Sequence, residues 1–81
     1  MDVYELRIDL RRALAENRGA RTLDEICDFV DAPGRAIGPG EVKAALDGLV
    51  EADQVVWEAR GEATWRLSPQ GQDAAARDAA S

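Results

Sequence analysis

Residues 38–71 read GPGEVKAALDGLVEADQVVWEARGEATWRLSPQG. Gly38 and Pro39 open a helix, because the fixed φ of proline suits the first helical position. Val42, Ala45, Leu46, Leu49 and Val50 then recur at helical spacing and form a core face. The helix stops near Ala52 and Asp53, where aspartate tolerates the left-handed conformation that glycine usually supplies. Two strands follow, 55–59 and 63–67, with Arg60, Gly61 and Glu62 as a three-residue hairpin loop. In that register Val55 faces Leu67, Trp57 faces Trp65 and Ala59 faces Ala63, all six on one face. Val56, Glu58, Thr64 and Arg66 take the other face, with Arg66 in diagonal reach of Glu58. A slip of one residue would scatter the pattern, so the register is well specified. The indole pair should anchor the sheet to the helices, Trp65 being nearer the sheet centre and more buried. Pro69 opens a last helix to about residue 80. It is alanine-rich and lacks large apolar residues, so residues 73–81 should form a fraying tail.

Two helices precede this stretch. The first should span about 3–17, with Val3, Leu6, Leu10, Ala13 and Leu14 on one face and a stop at Asn17 and Gly19. Tyr4, Ile8 and Ala15 form a second stripe nearly opposite, so the helix is apolar on two sides. Either the last helix covers this stripe, or Tyr4 and Ile8 meet a second subunit; monomer and homodimer are both open. The second helix starts at Thr22-Leu23-Asp24-Glu25, a capping box in which the Thr hydroxyl and the Glu carboxylate satisfy exposed backbone donors. Leu23, Ile26, Cys27 and Val30 face inward, and Asp31-Ala32-Pro33-Gly34 breaks the helix.

The 81 residues make one small domain, with a core over about 3–72. Seven Leu, six Val, three Ile, two Trp and one Phe are enough for a modest core. Cys27 is the lone cysteine, so no internal disulfide forms, and a reducing, cytoplasmic setting is expected. No apolar run exceeds three residues, which argues against a signal-peptide core or a membrane span. Sixteen acidic residues against ten basic give a net charge of −6. Domains of this size that bind DNA are usually basic, because phosphate neutralisation supplies much of their affinity. Arginine outnumbers lysine nine to one, which suggests a GC-rich genome. In a halophile an acidic surface would serve solvation, and the charge argument against DNA would weaken.

A helix, a capped helix, a third helix, a hairpin and then Leu67-Ser68-Pro69-Gln70-Gly71 resemble the winged helix-turn-helix core of MarR- and PadR-type transcription regulators. Those families carry a Leu-Thr/Ser-Pro-x-Gly segment between the second wing strand and a helix. Leu46 to Val55 resembles the end of their recognition helix and its turn into the wing. The resemblance covers about residues 3–72 at the level of pattern. It implies an α+β winged-helix fold: a three-helix core, a two-stranded β-hairpin wing and a short C-terminal helix. Asp53 stands where those families usually carry glycine, the connection from Val30 to Pro39 is longer than a tight turn, and their long dimerisation helix is missing.

In those families the exposed face of the third helix enters the major groove, where Arg, Lys, Asn, Gln or Ser/Thr side chains read bases. Here the outward positions are Glu41, Lys43, Ala44, Asp47, Gly48 and Glu51, one cation among three carboxylates. Ala44 and Gly48, four apart, leave a flat strip rimmed by acids, which suits a protein partner better than a duplex. A solvated helix face is the plain alternative. If the domain does bind DNA, the cations available are Arg35, Lys43, Arg60 and Arg66. Arg7, Arg11 and Arg18 form a stripe on the first helix with Glu5, Asp9 and Glu16 nearby, a pattern that usually means an ion-paired solvated face.

Catalysis finds little support. The chain has no histidine, no nucleophile elbow and no metal-ligand spacing, and its cysteine lies on a core face. The glycines of 34–40 do not fit a phosphate loop, since Lys43 is misplaced and Glu41 would oppose an anion at the helix start. No cofactor or small-molecule ligand is implied. The reading favoured by the sequence is a regulatory protein–protein interaction module in a transcription-associated setting; the runner-up is a DNA-binding regulator using helix 39–52 and the wing 55–67.

Overall fold

The computed structural model describes residues 3–31 and 37–80, Arg60 through its backbone alone. Helix α1 spans Val3–Glu16, strand β1 Arg21–Thr22, helix α2 Leu23–Val30 and helix α3 Pro39–Glu51. Strands β2 and β3 are Val55–Arg60 and Glu62–Leu67, and helix α4 is Pro69–Ala80. The described residues form a small α+β domain with four helices and a three-stranded antiparallel sheet of order β1-β3-β2. The expected break after α2, at Ala32, Pro33 and Gly34, lies outside the described residues, as does Arg35.

The local signals act where the sequence places them. Thr22 accepts the Glu25 N–H at 3.3 Å while the Glu25 carboxylate accepts the Thr22 N–H at 3.1 Å, so both halves of the capping box form. The Thr22 backbone bond lowers the pKa of Glu25. Gly38 and Pro39 start α3. Asp53 adopts a left-handed φ of 59°, which lets the chain leave α3 and turn into β2.

The hairpin register is the expected one, with Val55 opposite Leu67, Trp57 opposite Trp65 and Ala59 opposite Ala63. The sheet itself has three strands, not two. Arg21 and Thr22 pair with Trp65 and Thr64, which makes β3 the central strand. That order explains the fate of the indoles. Trp65 on the centre strand is 3% exposed, whereas Trp57 on the edge strand β2 is 52% exposed. Both share a face by register, but only Trp65 reaches the core.

That core lies where α1, α2 and α3 meet the sheet. Leu10, Ile26, Val42, Leu46 and Leu49 are almost fully buried, and Leu6, Leu14, Val30, Val55 and Leu67 surround them. Removing such a side chain from water contributes about 1.5–3 kcal/mol each before chain entropy is charged against it. Cys27 and Val50 are half-buried against this core. Burial, and then Asp24 and Asp28, push the Cys27 thiol up, so it stays protonated and weakly nucleophilic.

Residues 73–80, expected to fray, continue α4 as a docked helix. Arg11 holds Asp78 through two bonds, Nε to Oδ2 at 2.7 Å and Nη2 to Oδ1 at 3.0 Å. A third bond runs from Arg11 Nη1 to Gln54 Oε1 at 3.2 Å. One α1 side chain thus ties α4 to the turn after α3, with Ala74 buried beneath. The bond from Arg11 holds the Asp78 carboxyl below its usual range. A lowered carboxylate pKa adds stability at neutral pH that is lost on acidification through that range.

The segment Leu67-Ser68-Pro69-Gln70-Gly71 closes the same joint. Buried Ser68 donates its hydroxyl to the Asp53 carbonyl, and its Oγ accepts the Gly71 N–H at 3.1 Å. The Ser68 N–H reaches the Gln54 carbonyl at 3.0 Å. The serine therefore caps α4 and clasps the α3–β2 turn at once.

Candidate functional site

The outward side of α3 carries the candidate residues on one surface. Glu41, Lys43, Ala44, Asp47 and Glu51 are exposed there. Lys43 Nζ lies 3.0 Å from Asp47 Oδ2, an i,i+4 pair, so the cation of this face is already matched. The carboxylates of Glu41 and Glu51 make no ion pair or hydrogen bond among the described residues. The face is therefore net acidic.

Gly48 departs from the expectation of an open strip. It is half-buried, and a Cβ built there would overlap Arg7 Nη2 and lie 3.2 Å from Arg7 Cζ. Helical spacing puts Gly48 on the α1 flank of α3, where the long Arg7 side chain covers it. The Arg7 Nε is buried without an acceptor among the described residues, so the guanidinium is not pinned at that atom by any of them. Gly48→Ala should therefore be neutral or stabilising by up to about 1 kcal/mol, since alanine gains that much helix propensity and only a flexible side-chain end has to move. Urea denaturation measures it; a loss above about 1 kcal/mol would mean that the Arg7 contact is rigid.

The other flank of α3 forms a groove with the hairpin, lined by Val50, Trp57, Ala63 and Trp65, with Lys43, Asp47 and Glu51 along its rim. Sequence reading missed it. The period-two pattern put Trp57 and Trp65 on one face and treated both as core. The available signal was Val50, at the edge of the core stripe, on the side of α3 next to the hairpin. A two-residue strand at 21–22, which leaves β2 at the sheet edge, carried no pattern of its own.

The cations suggested for DNA are engaged where they are described. Arg66 Nη2 meets Glu58 Oε1 at 2.8 Å across the opposite sheet face, and Lys43 is held by Asp47. Arg35 and the side chain of Arg60 lie outside the described residues. Two of the three arginines of the expected ion-paired solvated stripe leave it: Arg11 is tied to Asp78, distant in sequence, and Arg7 lies over Gly48, while Arg18 is exposed.

At the start of α1, Val3 is 55% and Tyr4 72% exposed, while Ile8 is half-buried. Helix α4 covers the far end of this second stripe: Ala15 and Ala75 both pack against the core. No helix of the structure is long and apolar enough to cross a membrane. Comparison with family models, with curated proteins and with solved structures finds no match to this chain.

Proposed function

We propose that this domain is an acidic winged-helix module that recognises a protein partner through α3 and the hairpin. The observation that carries the reading is Trp57, half in solvent beside the carboxylates of α3. A large indole left exposed next to a groove is the residue type that anchors protein interfaces. The order of helices and hairpin, and the resemblance to MarR- and PadR-type regulators, support the winged-helix assignment and a cytoplasmic, transcription-associated setting. The net charge of −6 and the engaged Lys43 and Arg66 weigh against a duplex.

The test sets DNA against protein. In fluorescence anisotropy with mixed-sequence duplex at two salt concentrations, binding should be no tighter than the weak non-specific range, on the order of 10⁻⁴–10⁻⁶ M at physiological salt. Capture from host lysate with mass-spectrometric identification should retain a protein that Trp57→Ala and Ala44→Arg both lose. Nanomolar duplex binding with a steep salt slope would overturn the reading in favour of a DNA-binding regulator.

A further inference from the structure

We infer that the groove between α3 and β2 takes an extended, arginine-bearing segment of the partner, the guanidinium lying on Trp57 and pairing with Glu51; this rests on the reading of the domain as a protein-interaction module. Three features of one surface meet in that assignment. The floor of the groove is apolar, from Val50, Ala63 and Trp65, and its outer wall is the exposed Trp57 ring. Its rim holds one carboxylate with no partner among the described residues, Glu51, since Asp47 is occupied by Lys43. Strand β2 is at the end of the sheet order, so among the described residues its outer edge pairs with no strand and can take a further extended chain.

The chemistry selects arginine. Its guanidinium is planar and weakly hydrated, so it stacks on an indole while donating to a carboxylate. A lysine ammonium is compact and strongly hydrated, and stacks less well. An acidic side chain or a phosphate would meet Glu51 and the field of a chain with net charge −6. A segment added beside β2 places alternate side chains on the face that carries Trp57, within cross-strand reach.

The probe is a short blocked peptide of alternating valine and threonine with one central arginine. Counterparts carry lysine, norleucine or glutamate at that position, and a single-stranded oligonucleotide serves as the stacking control. Each is titrated into the ¹⁵N-labelled chain while the two indole N–H signals are followed. The arginine peptide should shift Trp57 and bind about fivefold tighter than the norleucine or glutamate peptide. Glu51→Gln should erase that preference and leave the norleucine peptide unchanged. This variant removes a negative charge from the last turn of α3, where the helix dipole disfavours one, so it keeps its fold. The proposal is overturned by equal binding of the arginine and glutamate peptides, by a preference that survives Glu51→Gln, by no shift with any peptide, or by a stronger response to the oligonucleotide. Lysate capture separates the two readings. If Trp57→Ala loses the partner and Glu51→Gln keeps it in full, the interaction module stands and the arginine chemistry falls. If Trp57→Ala captures as well as wild type, both fall.

Discussion

Gly71→Ala should lower the melting temperature by about 10–20 °C, although alanine is the better helix former. Gly71 lies in the first turn of α4 and is buried against the turn that leaves α3. A Cβ at this position would overlap the Gln54 carbonyl oxygen, and would stand 2.9 Å from both Gln54 C and Leu67 Cδ2. The neighbour is backbone, and that backbone is itself held: the Gln54 carbonyl accepts the Ser68 N–H, and the Gln54 side chain accepts from Arg11. Relief therefore needs α4 to lift away, which strains the Arg11–Asp78 tie and the Ser68 clasp together. Overpacking of this kind costs about 1–3 kcal/mol and at times more. A domain of this size has about 4–12 kcal/mol in total and moves by roughly 4–8 °C per kcal/mol. Helix propensity alone would make the variant more stable by about 1 kcal/mol, so the sign of the shift separates the two effects. Gly40→Ala is the control. Gly40 is also in a first helical turn, but a Cβ there meets nothing within 4 Å, so that variant should hold or gain stability. Circular-dichroism melts of both variants are sufficient, and a Gly71→Ala melt within a few degrees of wild type would show that α4 is loosely docked.

That joint also marks the limit of what the sequence shows on its face. The hairpin register was legible because six residues alternate in and out, and a slip would have buried Glu58 and Arg66. Helix α2 was legible because a capping box is a four-residue signal with its own hydrogen bonds. Strand β1 was not, since two residues carry no period, and Thr22 serves as strand and as helix cap at once. The docking of α4 was hidden for a different reason. Its tie runs from Arg11 to Asp78, 67 residues apart, and its contact surface is alanine and glycine, whose value lies in how closely backbones approach. Gly48 was placed outward by helical spacing alone, which takes no account of a long Arg7 side chain reaching across from α1. The acidic character of the α3 face was plain from Glu41, Asp47 and Glu51, but the groove beside it depends on which strand is at the sheet edge, and β1 decides that.

Trp57 and Trp65 should therefore separate stability from binding, although they face each other across one register. Trp65→Ala should cost about 3–5 kcal/mol, the range for emptying a large aromatic site in a core. The central strand gives Trp65 neighbours on both sides, Trp57 on β2 and Arg21 on β1, and leaves it 3% exposed. The loss is a large share of the roughly 4–12 kcal/mol expected for the whole domain, so this variant should be partly unfolded at 37 °C. Trp65→Phe, which keeps most of the volume and removes an N–H that has no acceptor among the described residues, should cost far less. Trp57→Ala should cost only about 1–1.5 kcal/mol, roughly half the transfer energy of a fully buried large apolar side chain, because half of its surface already lies in water. Yet it is Trp57→Ala that should abolish partner capture, while Trp65→Phe should retain it. Urea denaturation alongside capture measures both columns of this comparison. If Trp57→Ala unfolds the domain as readily as Trp65→Ala, then Trp57 is part of the core, and its exposure is no argument for a binding surface. If it folds well and still captures the partner, the surface lies elsewhere, and the exposed Val3 and Tyr4 at the start of α1 are the next place to look.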